Sequence, residues 1–341
     1  MADTVVSVLI AYGIAIIIIS FVSHDTLRAL TIFITAPFDS VRHIGNVVEM
    51  AIPLAFTGLS FTILFKSNLF NLGAEGLFFS SALLTAVLAV QSHLPPFIHP
   101  MALILAGGLL GAVLGCIPCV CNVRFGANTL VISLMMNYIL YGVCMFFLNN
   151  KFRDITAYAI ATPQFQASAK LVRFIPGTRI HTGLIILVVC VALITLFLHK
   201  AKWGYQMRML GINRRFASYM GMNATAIMFT AHGLSGFLAG LGGSVEILGM
   251  YHKFQWTALP GYGLDGALIA LLAKSNPLGI LPAALFIAYI RTGADMMARM
   301  SDIPAEIVSI VQALIILLVS SQYFLRYIRE RMLLKEVRAN G

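Results

Sequence analysis

Apolar residues in this chain neither alternate with polar ones nor keep to one stripe of a helix; they run on in long unbroken stretches between short polar connections. Continuous runs of this kind are the pattern of helices surrounded by lipid, whereas membrane barrels require alternation along about ten-residue strands. Runs near Val5 to Val22, Val48 to Phe65, Leu77 to Val90, Met101 to Cys121, Leu130 to Leu148 and Thr182 to Leu198 predict six spans. Four more lie near Thr225 to Gly249, Leu264 to Ala273, Leu278 to Ile290 and Ala305 to Leu325, giving about ten in an all-α integral membrane protein. The whole chain, 1–341, reads as one transmembrane domain with no room for a soluble one.

Charge then orients the runs. The basic stretches His199 to Arg215 and Arg326 to Arg338 are separated by an even number of predicted spans, so they share a side. The excess of Lys and Arg makes that side the cytoplasm, and counting back places both termini there. The segment 149–180 falls outside by the same count, despite carrying Lys151, Arg153, Lys170, Arg173 and Arg179. A loop of that length can cross regardless of its charge.

Composition agrees: 59% of the 341 residues are hydrophobic and 11% charged, with mean hydropathy +0.89. The net charge of +10 lacks the basic blocks interleaved with aromatics that nucleic acid would need. The N-terminus has no basic residue before its apolar stretch and no small-residue cleavage site, and reads as a retained span. Cys116, Cys119 and Cys121 form a C-x-x-C pattern without a second pair, around Pro118 within a span, so apolar packing is expected rather than a metal. Glycines spaced for close helix contact recur at Gly107, Gly111 and Gly115 and at Gly236 and Gly240.

A carboxylate heads an apolar run twice. Gly73-Ala74-Glu75-Gly76 and Gly263-Leu264-Asp265-Gly266 are both Gly-x-acid-Gly before a run shorter than a full crossing, one in each half and oppositely directed. This predicts an inverted repeat, 48–148 and 225–325, with broken helices near Glu75 and Asp265 beside a transport path. Each acid could instead cap a helix start. Gly261 to Gly266 also fits G-x-G-x-x-G, but no strand precedes it, and neither a Walker loop nor H-E-x-x-H occurs anywhere. Glu246 and His232 share the seventh predicted span and are read as interior pairing groups.

Four ordered blocks carry a resemblance: Leu69 to Gly76, Asn128 to Ile139, Gly204 to Asn223 and Leu259 to Ala283. The chain resembles the permease subunits of bacterial ABC importers, in the branch serving ribose-type sugars, branched-chain amino acids and nucleosides. It looks most like the larger permease of nucleoside importers, with Leu77, Leu264 and Ala267 standing where Gln, Phe and Ile are usual. The resemblance implies a heteromeric importer in the cytoplasmic membrane: a second homologous permease, a cytoplasmic ABC ATPase holding ATP and Mg, and an extracytoplasmic substrate-binding lipoprotein. No cofactor is implied for this chain.

It also implies that the segment 200–224 couples to the ATPase. Gly211, Asn213, Ala217 and Tyr219 match the family pattern, while Arg214 replaces a usual Pro and Phe216 a usual Ala. With Arg215, these residues form the expected docking set. Asn71, Glu75, Asn128, Ser133, Asn137, Tyr262 and Asp265 are the expected substrate-path residues, because Asn pairs with hydroxyls or a base edge and Tyr262 offers a stacking face. Asn137 reads equally as a bond between helices. A simple-sugar permease of the same family and a proton-coupled transporter acting alone are the alternatives; an intramembrane enzyme lacks any readable nucleophile, base or metal cluster.

Overall fold

The computed structural model describes residues 25–155 and 158–301, together with 310 and 313. The expected span Val5 to Val22, the expected span Ala305 to Leu325 apart from 310 and 313, the basic cluster Arg326 to Arg338 and both termini lie outside the described residues. The described residues are nearly all helical, with one isolated β-bridge, Arg173 to His181. Twelve helices longer than five residues follow in order: α1 (Thr26–Thr35), α2 (Val41–Lys66), α3 (Ala74–Gln91), α4 (Ile98–Gly115), α5 (Ile117–Phe125) and α6 (Thr129–Phe147), then α7 (Gly183–Lys200), α8 (Lys202–Ile212), α9 (Arg214–Tyr219), α10 (Ala224–Met250), α11 (Tyr262–Leu272) and α12 (Pro277–Met300).

Seven helical stretches among the described residues are long and apolar enough to cross a bilayer. The eight expected spans within the described residues each correspond to a helix. Met101 to Cys121 becomes two pieces, because α4 stops at Cys116 and Pro118 occupies the second position of α5, where its missing N–H is harmless. α1 has no counterpart among the expected elements; its apolar run is only ten residues long and includes Arg28.

The chain divides into two compact units. The first comprises 1–47 and 286–341. In its described part, Gly293 admits the backbone of Phe33, where a Cβ would lie 2.6 Å from the Phe33 carbonyl oxygen. The Tyr289 hydroxyl donates to the Ile34 carbonyl at 2.9 Å.

The second unit is 48–285. α3 is buried on nearly every side, and α2 likewise over residues 51–64. α10 runs across α4 with backbones in contact: a Cβ at Gly111 would strike the Gly236 carbonyl oxygen, and one at Gly240 would meet the Gly107 carbonyl at 2.5 Å. Dispersion gained by this close approach replaces the hydrophobic drive that lipid cannot supply. The stretch 158–182 folds over the ends of α3 and α10. Gln166 N–H donates to the Ala89 carbonyl at 3.2 Å, Phe165 N–H to His252 at 2.9 Å, and Leu171 N–H to Leu248 at 3.2 Å. It is thus only partly exposed.

Candidate functional site

Each Gly-x-acid-Gly opens a helix. Glu75 lies in the first turn of α3 and Asp265 in the first turn of α11, and both are buried. α11 has eleven residues, about 16 Å of rise, roughly half of a bilayer's hydrocarbon thickness; the eighteen of α3 reach about 27 Å.

Glu75 does not point at open space. Its Oε1 accepts the Gly261 N–H at 2.6 Å, and its Oε2 accepts the Gly263 N–H. These are donors at the start of α11 with no partner inside that helix, where the dipole favours an anion. The approach requires glycine. A Cβ at Gly263 would lie 2.5 Å from Glu75 Oε2, 2.7 Å from its Cβ and 2.8 Å from its backbone nitrogen, and Gly261 sits at φ 80. The first motif therefore supplies the N-terminal cap of the helix that the second motif begins.

The lead-in to α3 is held by α6. Leu72 N–H donates to Ser133 Oγ at 2.9 Å, and Ser133 Oγ donates to the Leu130 carbonyl at 2.9 Å. Asn137 spans the start of α3: its Oδ1 accepts from Gly76 N–H at 2.9 Å and its Nδ2 donates to the Leu72 carbonyl at 2.9 Å. Asn71 closes its own turn by accepting from Gly73 N–H at 2.7 Å, and Asn128 caps α6 by accepting from Leu130 N–H at 3.0 Å. Of the expected path residues, the structure thus joins Asn71, Ser133, Asn137 and Glu75 around the start of α3, and leaves Asn128 at the start of α6.

Tyr262 belongs to an aromatic cluster that sequence reading does not reveal. Its ring lies 5.3 Å from Phe78, which stacks on Trp256 at 5.9 Å and 20°. Trp256 also meets Tyr251 edge-on at 5.4 Å and Phe254 at 5.4 Å. Tyr141 fastens the connection before α11 by donating to the Thr257 carbonyl at 2.6 Å. The cluster escapes sequence reading because its members come from α3, the first residue of α11 and an irregular connection without a period.

Two further acids are buried in this unit, Glu49 on α2 and Glu246 on α10. Glu49 is signalled by a charge at the head of an apolar run. Glu246 and His232 share α10 but stand almost four turns apart, about 21 Å along the axis, so they do not pair with each other. His232 Nδ1 faces the Met228 carbonyl at 2.9 Å. Among the described residues no group of three His, Cys, Asp or Glu could hold a metal, and all five cysteines are free thiols.

In the basic segment, Gly211 packs against the Lys66 and Ser67 backbone at the end of α2. Asn213 caps α9 by accepting from Phe216 N–H at 3.1 Å. Ala217 is fully buried, whereas Arg214, Arg215, Phe216 and Tyr219 face outward. One short helix thus anchors on a small residue and presents two aromatics and two cations.

The profile of the family described as branched-chain amino acid transport system / permease component matches residues 43–320. The guanosine ABC transporter permease protein NupP of Bacillus subtilis is 29% identical over 298 residues, 85% of this chain and 84% of that one. The nucleoside ABC transporter permease protein NupB of Lactococcus lactis is 28% identical, covering 91% and 88%. The glucose ABC transporter permease protein TsgB13 of Haloferax volcanii is 28% identical, covering 95% and 87%. With the matched region extending over most of the sequence and over its membrane helices, this chain belongs to the family of branched-chain amino acid transport system permease components.

Proposed function

We propose that this permease is the larger membrane subunit of an ATP-driven importer that takes nucleosides across the cytoplasmic membrane. Its similarity to NupP and NupB along most of all three chains carries the reading. The match to NupQ of Bacillus subtilis is weaker, 25% over 74% of this chain, and that to NupC of Lactococcus lactis is 24% over 71%. This ordering supports a heterodimer in which this chain stands with the first kind and a NupQ-like chain is its partner.

ATP and Mg belong to a separate cytoplasmic ATPase that receives α9, with Phe216 as the aromatic anchor. Both termini are then cytoplasmic, and 149–180 faces the extracytoplasmic substrate-binding lipoprotein. Closure of the ATPase pulls α8 and α9, and through Gly211 the end of α2, so that helices rock around the breaks at Glu75 and Asp265. The similarity to TsgB13 favours a second reading, a simple-sugar permease of the same architecture.

The test is uptake by the reconstituted complex with ATP inside the liposomes. Guanosine or another nucleoside should accumulate and glucose should not. Accumulation of glucose alone would install the second reading, and uptake by this chain alone under a pH gradient would establish a proton-coupled carrier instead.

A further inference from the structure

α2 and α10 pack antiparallel. Ser60 Oγ lies 2.8 Å from Ser235 Oγ, and a Cβ at Gly242 would lie 2.7 Å from the Cβ of Phe56. Two turns beyond Phe56 and one beyond Gly242, the same register brings Glu49 opposite Glu246. The two carboxylates act on each other electrostatically, and Arg179 and Arg173 of the covering segment act on Glu49. Glu246 is 1% exposed, and its Oε2 has no hydrogen-bond partner among the described residues. A carboxylate so placed is costly unless it has a use, since a buried polar atom without a partner forfeits its solvation.

The neighbouring surface says what kind of use. Tyr251 is within electrostatic reach of Glu246, Glu49 and Arg179, and its ring meets Trp256. Paired acceptors beside an aromatic wall suit a ring bearing vicinal hydroxyls. Each hydroxyl donates to a carboxyl oxygen of the facing pair, while the C–H face of the ring lies on the aromatics. By contrast, Asn71 Oδ1, Ser133 Oγ and both polar side-chain atoms of Asn137 are already engaged with backbone groups around the start of α3. We propose that Glu49 and Glu246, flanked by Tyr251 and Trp256, form a binding site for the vicinal diol of the transported sugar moiety. The site lies beneath the covering segment, whose Leu171 N–H reaches the Leu248 carbonyl on α10. The proposal rests on the nucleoside reading for the identity of the sugar, a ribose.

The complete complex, with one binding protein throughout, is assayed for ATP-driven uptake of guanosine and of 2′,3′-dideoxyguanosine. Using the same binding protein cancels its own selectivity when wild type and variant are compared. Glu246→Gln should lower the guanosine-to-dideoxyguanosine rate ratio by about tenfold and leave the dideoxy rate nearly unchanged, since only the diol contact is lost. Glu49→Gln should shift the ratio in the same direction, and serves as the comparison if Glu246→Gln does not assemble. An unchanged ratio overturns the proposal, as does an equal fall for both substrates in an assembled complex. If the complex moves glucose and no nucleoside, the nucleoside reading fails separately. The diol site is then judged by the same ratio for glucose and 3-deoxyglucose.

Discussion

Glu75, in the first turn of α3, accepts the backbone N–H groups of Gly261 and Gly263 at the start of α11, far away in sequence. Bonds from backbone amides to a charged acceptor contribute about 1.5–3 kcal/mol each. Glu75→Gln keeps the shape but turns an NH2 group toward one of the donors. The variant should lower the melting temperature of the assembled complex, by the equivalent of about 2 kcal/mol, and reduce transport through a smaller competent fraction. A raised KM for substrate with an unchanged melting temperature would show instead that the carboxylate serves the substrate.

The same junction makes a second prediction, because the carboxylate can reach those amides only where Gly263 lacks a side chain. Gly263→Ala would force a methyl group against the Glu75 backbone, and neighbouring helices leave little room to yield. We expect greatly reduced complex recovery after detergent extraction. Gly142→Ala is the matched control: a Cβ there meets nothing within 4 Å, and α6 should gain about 0.5–1 kcal/mol from the better helix former. Equal recovery of the two variants would contradict the close packing of α11 on α3.

His181 gives the segment 149–182 a pH dependence. Its ring is buried against Gly183 and Gly249, and its Nδ1 accepts the Gly183 N–H at 3.1 Å. Burial, with a smaller contribution from Arg173, lowers its pKa to about 4 from the ordinary 6.5. The folded state holds the neutral imidazole, so above the unfolded value the group has no effect on stability. As pH falls from about 6.5 toward 4 the unfolded state binds the proton first, and stability declines, by up to roughly 3 kcal/mol at the lower end. The protection factors of residues 162–182 against hydrogen exchange, corrected for the intrinsic pH dependence of amide exchange, should therefore fall between pH 7 and pH 5. His181→Asn, which can still accept the Gly183 N–H, should flatten that dependence. An unchanged slope in the variant would assign the effect to another group.

Continuous apolar runs made the helices legible in the sequence, and the paired Gly-x-acid-Gly motifs marked both helix starts that meet at Glu75. The carboxylate's partners were not legible. Whether Glu75 caps its own helix or a distant one depends on how α3 and α11 approach, and no local pattern encodes that. Asn137 illustrates the same limit, since one residue type suits a substrate hydroxyl, a helix contact or the clamp at Leu72 and Gly76 that it forms. Glu49 was within reach of sequence reasoning, as an acid at the head of a span. Its pairing with Glu246 needed the register of α2 on α10. Trp256 and Phe254 lie in a connection without periodicity, so only the folded chain gathers them with Phe78.

In the segment proposed to dock on the ATPase, stability and coupling should separate residue by residue. Ala217 is buried while Phe216 and Tyr219 are exposed, and Asn213 holds the turn between α8 and α9. An exposed aromatic that contributes little to its own fold can contribute most to a partner's grip, as a central anchor in an interface does. Phe216→Ala should thus leave the melting temperature of the purified permease nearly unchanged, within about 0.5 kcal/mol in stability, as expected of surface sites. ATP-driven uptake should fall about tenfold, and ATPase copurification should weaken. Asn213→Ala should act differently, because losing the cap destabilises α9 itself by about 1 kcal/mol. If Phe216→Ala transports at the wild-type rate with its ATPase fully retained, the docking surface lies elsewhere on this face.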